Sequence, residues 1–330
     1  MMRRLAVPVL TSLLLAGVLS ASFADEAPPL EAVWHLPASV VAEPTLPAGI
    51  ASGSDGSVYV VEVGINRVLK FDPEGQLLER WGAPAGEAGA LEKPFGVAVG
   101  PDDSVYVTEM GRAQVRHFDA QGGELGAWGG SGVQNGHFRE VRGIAVNAEG
   151  QVYVVDGQNR RVQCFNATGG FLNAWGDEVL ESPIGVAVTP AGDILVTDVG
   201  CRCVHRFTGQ GIWVASWRPT DGFRAFDFWP QGVAVASDGS VFVCDPWAEQ
   251  VLEFSSEGLF LRRWPDPNTQ PSSFRIVPMH RLGEVMSPLA DQNASPDRLE
   301  LRTPLAVGVD PAQRLLVLDR GLAQVRIYRP

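Results

Sequence analysis

Cysteine is scarce in this 330-residue chain, which contains Cys164, Cys201, Cys203 and Cys244. So few cysteines exclude a small scaffold held together by a dense disulfide framework. Cys201 and Cys203 form a Cys-x-Cys pair, which is a weak metal signal, and no second pair completes a zinc site. Two alternatives stay open for this pair: a disulfide from one of its members to Cys244, or free or buried thiols.

Basic residues are outnumbered, with 26 lysines and arginines against 38 aspartates and glutamates. The resulting net charge of −12 repels the phosphate backbone of nucleic acids and the surface of anionic membranes. We therefore expect neither of these as a partner.

Long apolar runs are absent except at the N-terminus, where residues 5–19 follow Arg3 and Arg4. The sequence SFA at 22–24 fits a small-x-small cleavage site, so we predict a signal peptide over residues 1–24. The run is short for a membrane span, and a retained anchor is the alternative. We expect an exported protein, secreted or periplasmic, without stable membrane insertion.

One pattern recurs along the rest of the chain. Counting from Gly143, an acid follows 13 positions later, a valine 6 after it, an aromatic residue 3 further on and a tryptophan 10 beyond that. The residues at these positions are Asp156, Val162, Phe165 and Trp175. The same spacing starts at Gly49, Gly96, Gly185 and Gly232, and a copy from Ala306 ends before its tryptophan. Five complete copies and one truncated copy indicate a repeat array.

Each copy divides into four short β-rich segments separated by turn residues. Both faces of these strands are apolar, so both must be covered, as in small sheets stacked face to face around an axis. The first strand of every copy carries glycine or alanine at two alternate positions, as a crowded axis requires. We therefore predict an all-β fold, a six-bladed β-propeller of four-stranded antiparallel blades forming one domain over residues 25–330. The blades are expected at about 47–82, 94–129, 141–176, 183–217, 230–264 and 304–330.

The sixth copy lacks its tryptophan strand, and a matching segment precedes the first copy. Residues 30–36 contain LEAVW, which resembles FLNAW at the end of the third copy. We predict that this N-terminal segment forms the outer strand of the last blade and closes the ring. Residues 265–303 are predicted to be an insertion, on the same face as the loops that follow the strand-end acids.

The repeat resembles the NHL-repeat family, whose six-bladed propellers carry Pro-x-Gly-Ile-Ala-Val, a strand-end Asp and an Arg-Val or Arg-Ile strand. This resemblance covers residues 30–330 and implies the propeller fold. Its nearest catalytic relatives are the secreted peptidyl-α-hydroxyglycine α-amidating lyases, which hold zinc with histidines immediately before the first-strand glycine of several blades. Here those positions are Ala48, Phe95, Arg142, Ile184, Gln231 and Leu305. The lyases also use a tyrosine in a loop after a strand-end Asp, whereas the four tyrosines here fall within predicted strands.

A second catalytic class, the calcium-dependent lactonase-like propellers, needs carboxylates converging on the axis. The first strands contain neither Asp nor Glu. A ring of strand-end acids is the other carboxylate set, at Glu62, Glu109, Asp156, Asp198, Asp245 and Asp319. These acids either bind a cation or accept hydrogen bonds from their own loops, and their presence in every blade favours the structural role.

The loop face also combines aromatic, arginine and amide side chains, a composition typical of binding hot spots. The candidate binding residues are Phe95, Arg142, Gln158, Arg202, Trp229, Gln231 and Trp247. Trp229 and Trp247 fit equally well as packing beneath the insertion. We expect a monomeric, non-catalytic scaffold without cofactor that binds a peptide, a protein or a small molecule. The alternative is a divergent lyase of the amidating type, or another metal-dependent lyase or hydrolase, with zinc or calcium.

Overall fold

A computed structural model describes residues 28–37, 46–82, 89–221, 224–264 and 301–329. The predicted signal peptide, and residues 265–300 of the predicted insertion, lie outside the described residues. Within the described ranges, no helix is long and apolar enough to cross a membrane.

The described residues form six four-stranded antiparallel sheets, the blades of a propeller, with almost no helix. The first strand of the chain is β1 (Leu30–His35). The first blade comprises β2 (Pro47–Ser52), β3 (Val58–Glu62), β4 (Arg67–Phe71) and β5 (Leu77–Trp81). The second comprises β6 (Pro94–Val99), β7 (Val105–Glu109), β8 (Gln114–Phe118) and β9 (Glu124–Gly129). The third comprises β10 (Val141–Val146), β11 (Val152–Asp156), β12 (Arg161–Phe165) and β13 (Phe171–Trp175), with a 3₁₀ turn at Gly157–Asn159.

The remaining blades follow the same plan. The fourth comprises β14 (Pro183–Val188), β15 (Ile194–Asp198), β16 (Cys203–Phe207) and β17 (Trp213–Trp217). A two-stranded hairpin of β18 (Thr220–Asp221) and β19 (Arg224–Ala225) precedes the fifth blade. The fifth comprises β20 (Val233–Val235), β21 (Val241–Asp245), β22 (Gln250–Phe254) and β23 (Phe260–Trp264). The sixth contains β24 (Pro304–Val309), β25 (Leu315–Asp319) and β26 (Gln324–Tyr328).

The N-terminal strand completes the sixth blade, as predicted. β1 pairs antiparallel with β26 at the sheet edge, with Trp34 opposite Val325. The first strands of successive blades contact one another around the ring, and β24 contacts β2. The first and last parts of the chain therefore share one sheet, and the ring is closed.

The first strands pack closely because their glycines carry no side chain. A Cβ built on Gly49 would lie 2.6 Å from the carbonyl oxygen of Phe95 in the next blade, and one on Gly143 would lie 2.7 Å from that of Ile184. The intervening branched residues face the preceding blade, as Ile144 does against Tyr106. Six apolar clusters result, one at each interface between blades.

A tryptophan from one blade covers a turn glycine of the next. Trp128 lies on Gly169, whose φ of +85° and missing Cβ allow the turn to pass beneath the indole. The same contact joins Trp81 to Gly122, Trp175 to Gly211 and Trp217 to Gly258. At the closure Trp34 lies on Gly75 and is 8% exposed, so it takes the place of the tryptophan that the sixth repeat lacks.

The fifth blade departs from its repeat at the first strand. The repeat predicts a strand from Pro230, whereas β20 begins at Val233. The backbone N–H of Gly232 donates to the carbonyl of Leu305 in the sixth blade at 3.1 Å. The residue before β20 is therefore hydrogen-bonded to the neighbouring blade.

Candidate functional site

The strand-end acids hold the joining segments onto the loop face. The backbone N–H groups of Glu181 and Ser182 donate to the carboxylate of Asp198 at 2.7 and 2.9 Å. Asp319 accepts from residues 302 and 303 in the same way. The joining segments therefore lie on the same face as the loops after the acids, as expected from the sequence.

These acids are all fully buried, and each accepts hydrogen bonds or an ion pair from nearby protein groups. Asp156 accepts from Asn159 and Arg161 at 2.8 and 2.9 Å, while Glu62 pairs with Arg67. Asp245 accepts from backbone N–H groups of its own loop. The carboxylates are thus engaged in holding loops, which supports the structural interpretation over a cation-binding ring.

Burial also raises the pKa of three of these acids. It raises the pKa of Glu62 above the ordinary glutamate value, although the hydrogen bond and charge of Arg67 oppose the shift. Burial likewise raises the pKa of Asp245 and of Asp319, against the effect of their backbone N–H donors. The hydrogen bonds by which these carboxyls position the loops offset part of the cost of desolvation.

Near the axis, the loop face is almost filled by side chains. Phe95 and Gln231 line a cavity of about 70 Å³. The guanidinium carbon of Arg142 lies 5.3 Å from the ring centroid of Phe95, and Arg142 also pairs with Glu140. The structure therefore brings together the two predicted residues Phe95 and Arg142 and leaves little open space at the axis.

A second group of predicted residues forms a partly exposed cluster between the fourth and fifth blades. We call Arg202, Trp229 and Trp247 the Arg–Trp cluster. The guanidinium carbon of Arg202 lies 4.3 Å from the ring centroid of Trp229, and the centroids of the two indoles are 5.8 Å apart. Trp247 is 37% exposed and the Arg202 side chain 44% exposed. This is a solvent-accessible surface that joins a cation to two aromatic faces.

Different segments supply the three members of this cluster. Arg202 follows Asp198 in the fourth-blade loop, and Trp247 follows Asp245 in the fifth-blade loop. Trp229 belongs to the joining segment between these blades. The stack therefore depends on the ring being assembled.

Gln158 is set apart from the other predicted residues. It is exposed in the 3₁₀ turn of the third blade. Within the described residues, no hydrogen bond or ring contact joins it to Phe95 or to the Arg–Trp cluster.

The opposite end of the axis has a larger cavity, which sequence reasoning did not predict. It measures about 350 Å³ and is lined by turns, including Asn147, Ser237, Asp310 and Gln313. Several of its polar groups bond to protein partners: Ser237 N–H donates to Gln313 at 2.8 Å, and Arg314 donates to Asp310 at 2.7 Å.

A cluster of sulfur and imidazole groups in the fourth blade was also missed. Cys201 and Cys203 form a disulfide with each other, while Cys164 and Cys244 are free and buried, so both alternatives for the pair, a bridge to Cys244 and free thiols, are wrong. The His205 Nε2 atom lies 3.3 Å from the Sγ atoms of both bridged cysteines. The signal available in the sequence was the alternation of Cys203 and His205, which places both on one face of a strand.

Comparisons with known proteins agree with this architecture. The family model of the NHL repeat matches residues 138–165, in the third blade, and confirms the expected resemblance. No curated protein matches the chain in sequence.

Several solved structures share the fold. A streptogramin B lyase is 14% identical with a TM-score of 0.60, over 91% of this chain and 97% of that one. A virginiamycin B lyase from Staphylococcus aureus is 12% identical with a TM-score of 0.59, over 91% of this chain and 99% of that one. A protein described as a candidate gluconolactonase is 14% identical with a TM-score of 0.59, over 86% and 89% of the two chains. At such identities the likeness establishes the fold alone.

Proposed function

We propose that this propeller is a non-catalytic binding scaffold that takes up a peptide, a protein or a small molecule on its loop face. The observation that carries the proposal is the exposed Arg–Trp cluster. Tryptophan and arginine are the residue types most enriched among binding hot spots. Here Arg202 lies over Trp229, which in turn contacts the tilted ring of Trp247, on the face where the joining segments and acid loops meet.

The cluster is organised before any ligand arrives. The backbone N–H of Trp247 donates to the buried carboxylate of Asp245 at 3.2 Å. Arg202 is held on the ring of Trp229, and stacking of this kind contributes about 0.5–1 kcal/mol at exposed sites. Side chains that are already ordered lose less entropy on binding, which leaves more of the contact energy as affinity.

The chemistry of the cluster favours a ligand with an acidic group beside an apolar ring or side chain. The guanidinium of Arg202 pairs with Asp227, whose side chain is 84% exposed, at 2.5 Å. An ion pair this exposed contributes little stability, so a carboxylate of the ligand can replace Asp227. The adjoining indole faces then supply apolar contact area.

Export is part of the proposal. It rests on the predicted signal peptide at residues 1–24. Protein recovered from the exported fraction should begin at Asp25, as read by N-terminal sequencing. An intact N-terminus at Met1 on the mature protein would contradict export by cleavage.

Selection from a displayed random-peptide library tests the binding proposal. Peptides enriched on the immobilised parent should lose binding to Arg202→Ala/Trp247→Ala, because the cation and an aromatic face are both removed. A matched control is Arg80→Ala/Trp213→Ala, which removes the same residue types from exposed outer strands. Thermal unfolding checks that each variant is folded. Equal binding by the cluster variant and the parent would show that the Arg–Trp cluster is not the binding site.

A second candidate, a divergent amidating-type lyase or another metal-dependent lyase or hydrolase, draws on the lyases among the structures that share the fold. The positions before the first-strand glycines hold no histidine in this chain. Metal analysis separates the candidates. Zinc or calcium retained in stoichiometric amount after dialysis, with Cys201 and Cys203 both replaced by serine, would favour the metal-dependent enzyme.

A further inference from the structure

We propose that Cys201, Cys203 and His205, hereafter the Cys–His cluster, bind a thiophilic ion, Zn²⁺ or Cu⁺, when the two cysteines are reduced. Thiolate and imidazole are the ligands that these soft or borderline ions prefer. The inference concerns a site outside the Arg–Trp cluster and does not rest on the proposed function.

The imidazole nitrogen of His205 already lies at a suitable distance from both sulfurs, which move apart when the disulfide is reduced. The Sγ and Nε2 atoms all lie within 4.8 Å of one another, and each Sγ to Nε2 distance is 3.3 Å. With metal bonds of about 2.3 Å to sulfur and 2.0–2.1 Å to nitrogen, two ligands of one tetrahedral ion lie roughly 3.5 Å apart. His205 thus stands at the distance from both sulfurs that a shared ion would set.

The oxidised and metal-bound forms exclude each other, because the ion needs two thiolates and the sulfurs of the disulfide are bonded to each other instead. A phosphine supplies two electrons to cleave the S–S bond and leaves as its oxide with the oxygen of one water molecule, whose two protons complete the two thiols. Metal binding then displaces these two protons, since the thiolate is the ligand. The Cα atoms of Cys201 and Cys203 are 5.3 Å apart, so the opened side chains can still converge on one ion.

A hydrogen bond orients the imidazole toward the sulfurs. Nδ1 of His205 lies 2.8 Å from Oγ of Ser216, which is its partner on β17. When Nδ1–H donates to this hydroxyl, the lone pair of Nε2 faces the two Sγ atoms. Metal-binding histidines are held by a partner of this kind on the other ring nitrogen.

The cluster supplies three ligands and leaves the fourth coordination position of a tetrahedral ion open. Asp198 Oδ2 lies 3.8 Å from Nε2, but it already accepts the backbone N–H of Glu181 at 2.7 Å. His205 and Cys203 are buried, whereas Cys201 is partly exposed. Solvent or an added ligand can therefore reach the fourth position from the side of Cys201.

Comparison of the blades shows that the fold itself does not require these residues. The positions equivalent to Cys203 in the other five blades hold Arg67, Gln114, Arg161, Gln250 and Gln324. Those equivalent to His205 hold Leu69, Arg116, Gln163, Leu252 and Arg326. Several of these side chains donate to the strand-end acid, as Arg161 does to Asp156. In the fourth blade backbone N–H groups already bond to both oxygens of Asp198, so neither position has to supply a side-chain donor to the acid.

Metal titration of the full chain, reduced with a phosphine under exclusion of oxygen, tests the site. We expect one Zn²⁺ or one Cu⁺ per chain, and with Co²⁺ as a probe a sulfur-to-metal charge-transfer band. His205→Leu places in the cluster the residue found at the equivalent position of the first and fifth blades, so it should fold, and it should bind at least about 100-fold more weakly. Ser216→Ala should weaken binding by about 10-fold through loss of orientation.

Two cysteine variants serve as matched controls. Cys164→Ala and Cys244→Ala each remove a buried free thiol and should bind the ion as the parent does. Thiol counting under denaturing conditions confirms that the cysteines were reduced before titration. Reduced parent that binds neither Zn²⁺ nor Cu⁺ would overturn the proposal, as would equal affinity in His205→Leu and the parent. A bridge that persists in folded protein under reductant, with no ion bound, would instead assign the pair as a structural disulfide.

Discussion

Among single residues, the strand-end acids contribute most to the structure of the loop face, because they hold its loops and joining segments in place. Asp198 accepts four backbone N–H groups, including those of Glu181 and Ser182, and so joins two segments of chain at one buried carboxylate. Glu62 forms a buried ion pair with Arg67, so a side chain of the following strand also contributes to this set of contacts.

The raised pKa of Glu62 gives a pH dependence of stability with a definite sign. Because its folded-state pKa lies above the ordinary 4.5, the folded protein binds this proton more readily than the unfolded chain. The resulting stabilisation is full below the unfolded-state pKa and is lost as pH rises through the folded-state pKa. We expect the parent's free energy of unfolding, relative to Glu62→Gln, to fall as pH rises from just below 4.5 to neutrality.

Urea unfolding across this pH range measures the effect. Glu79→Gln, on the exposed outer strand β5, is the control for loss of one negative charge. A difference between the parent and Glu62→Gln that does not change with pH would contradict the expected linkage.

The cysteines show where residue-level prediction from sequence stops. The structural role of the acids could be predicted because the same spacing recurs in every blade. The Cys201–Cys203 bridge belongs to one blade only. It also includes a turn at Arg202, whose φ of 56° is left-handed and not encoded by a glycine. The left-handed turn itself recurs, because the residue before the third strand has a positive φ in all six blades, at Asn66, Ala113, Arg160, Arg202, Glu249 and Ala323. The position of the His205 ring, by contrast, has no signal in the repeat.

At the level of elements, the contact between tryptophan and turn glycine is the unit that joins blades. Gly169 has a φ of +85° and lies beneath Trp128, whereas Gly192 has a φ of +84° with nothing within 4 Å of an added Cβ. Both substitutions to alanine share the cost of a left-handed alanine, roughly 1–2 kcal/mol. Only Gly169→Ala must also displace an indole.

We therefore expect Gly169→Ala to be less stable than Gly192→Ala by about 1–3 kcal/mol, the usual cost of overpacking. Denaturant unfolding of the two variants gives this difference directly, since the shared backbone cost cancels. Equal stabilities would show that the indole contact does not constrain the turn.

The closing strand can be tested by truncating its tryptophan. Trp34 is 8% exposed and packs with Phe71 at 6.2 Å between ring centroids. Trp34→Ala should cost about 3–5 kcal/mol, because a large buried side chain is removed. Trp213→Ala, at a 49% exposed outer-strand position, is the control and should change stability little. Normal thermal stability of Trp34→Ala would contradict a closing role for β1.

Most elements could be predicted because they lie inside the repeat. The pairing of β1 followed from the missing strand of the sixth copy, since an unpaired edge needs a partner. The hairpin of β18 and β19 could not be predicted, because it lies in a joining segment that no other blade shares. The late start of β20 at Val233 could not be predicted either, and it accompanies a hydrogen bond from Gly232 to Leu305 of the neighbouring blade, which exists only in the assembled ring.

For the whole molecule, the closed ring offers two ends, and the proposal assigns function to one of them. The loop face carries the Arg–Trp cluster. The opposite face, called the turn face because the turns between first and second strands form it, has the larger cavity, of about 350 Å³. The fold alone does not decide between them, because similar propellers serve unrelated functions. Residue chemistry favours the loop face, where exposed aromatic and cationic groups converge.

Hydrogen exchange of the parent with and without a library-selected peptide tests this assignment most directly. The account predicts slower exchange at residues 199–202, 227–231 and 246–249, which surround the Arg–Trp cluster. In Arg202→Ala/Trp247→Ala, the same peptide at the same concentration should give no protection, because hot-spot losses of 2 kcal/mol or more weaken binding by about 30-fold. Protection confined to the turn-face residues 53–57, 100–104 and 147–151 would contradict the account and move the binding site to the opposite end of the ring.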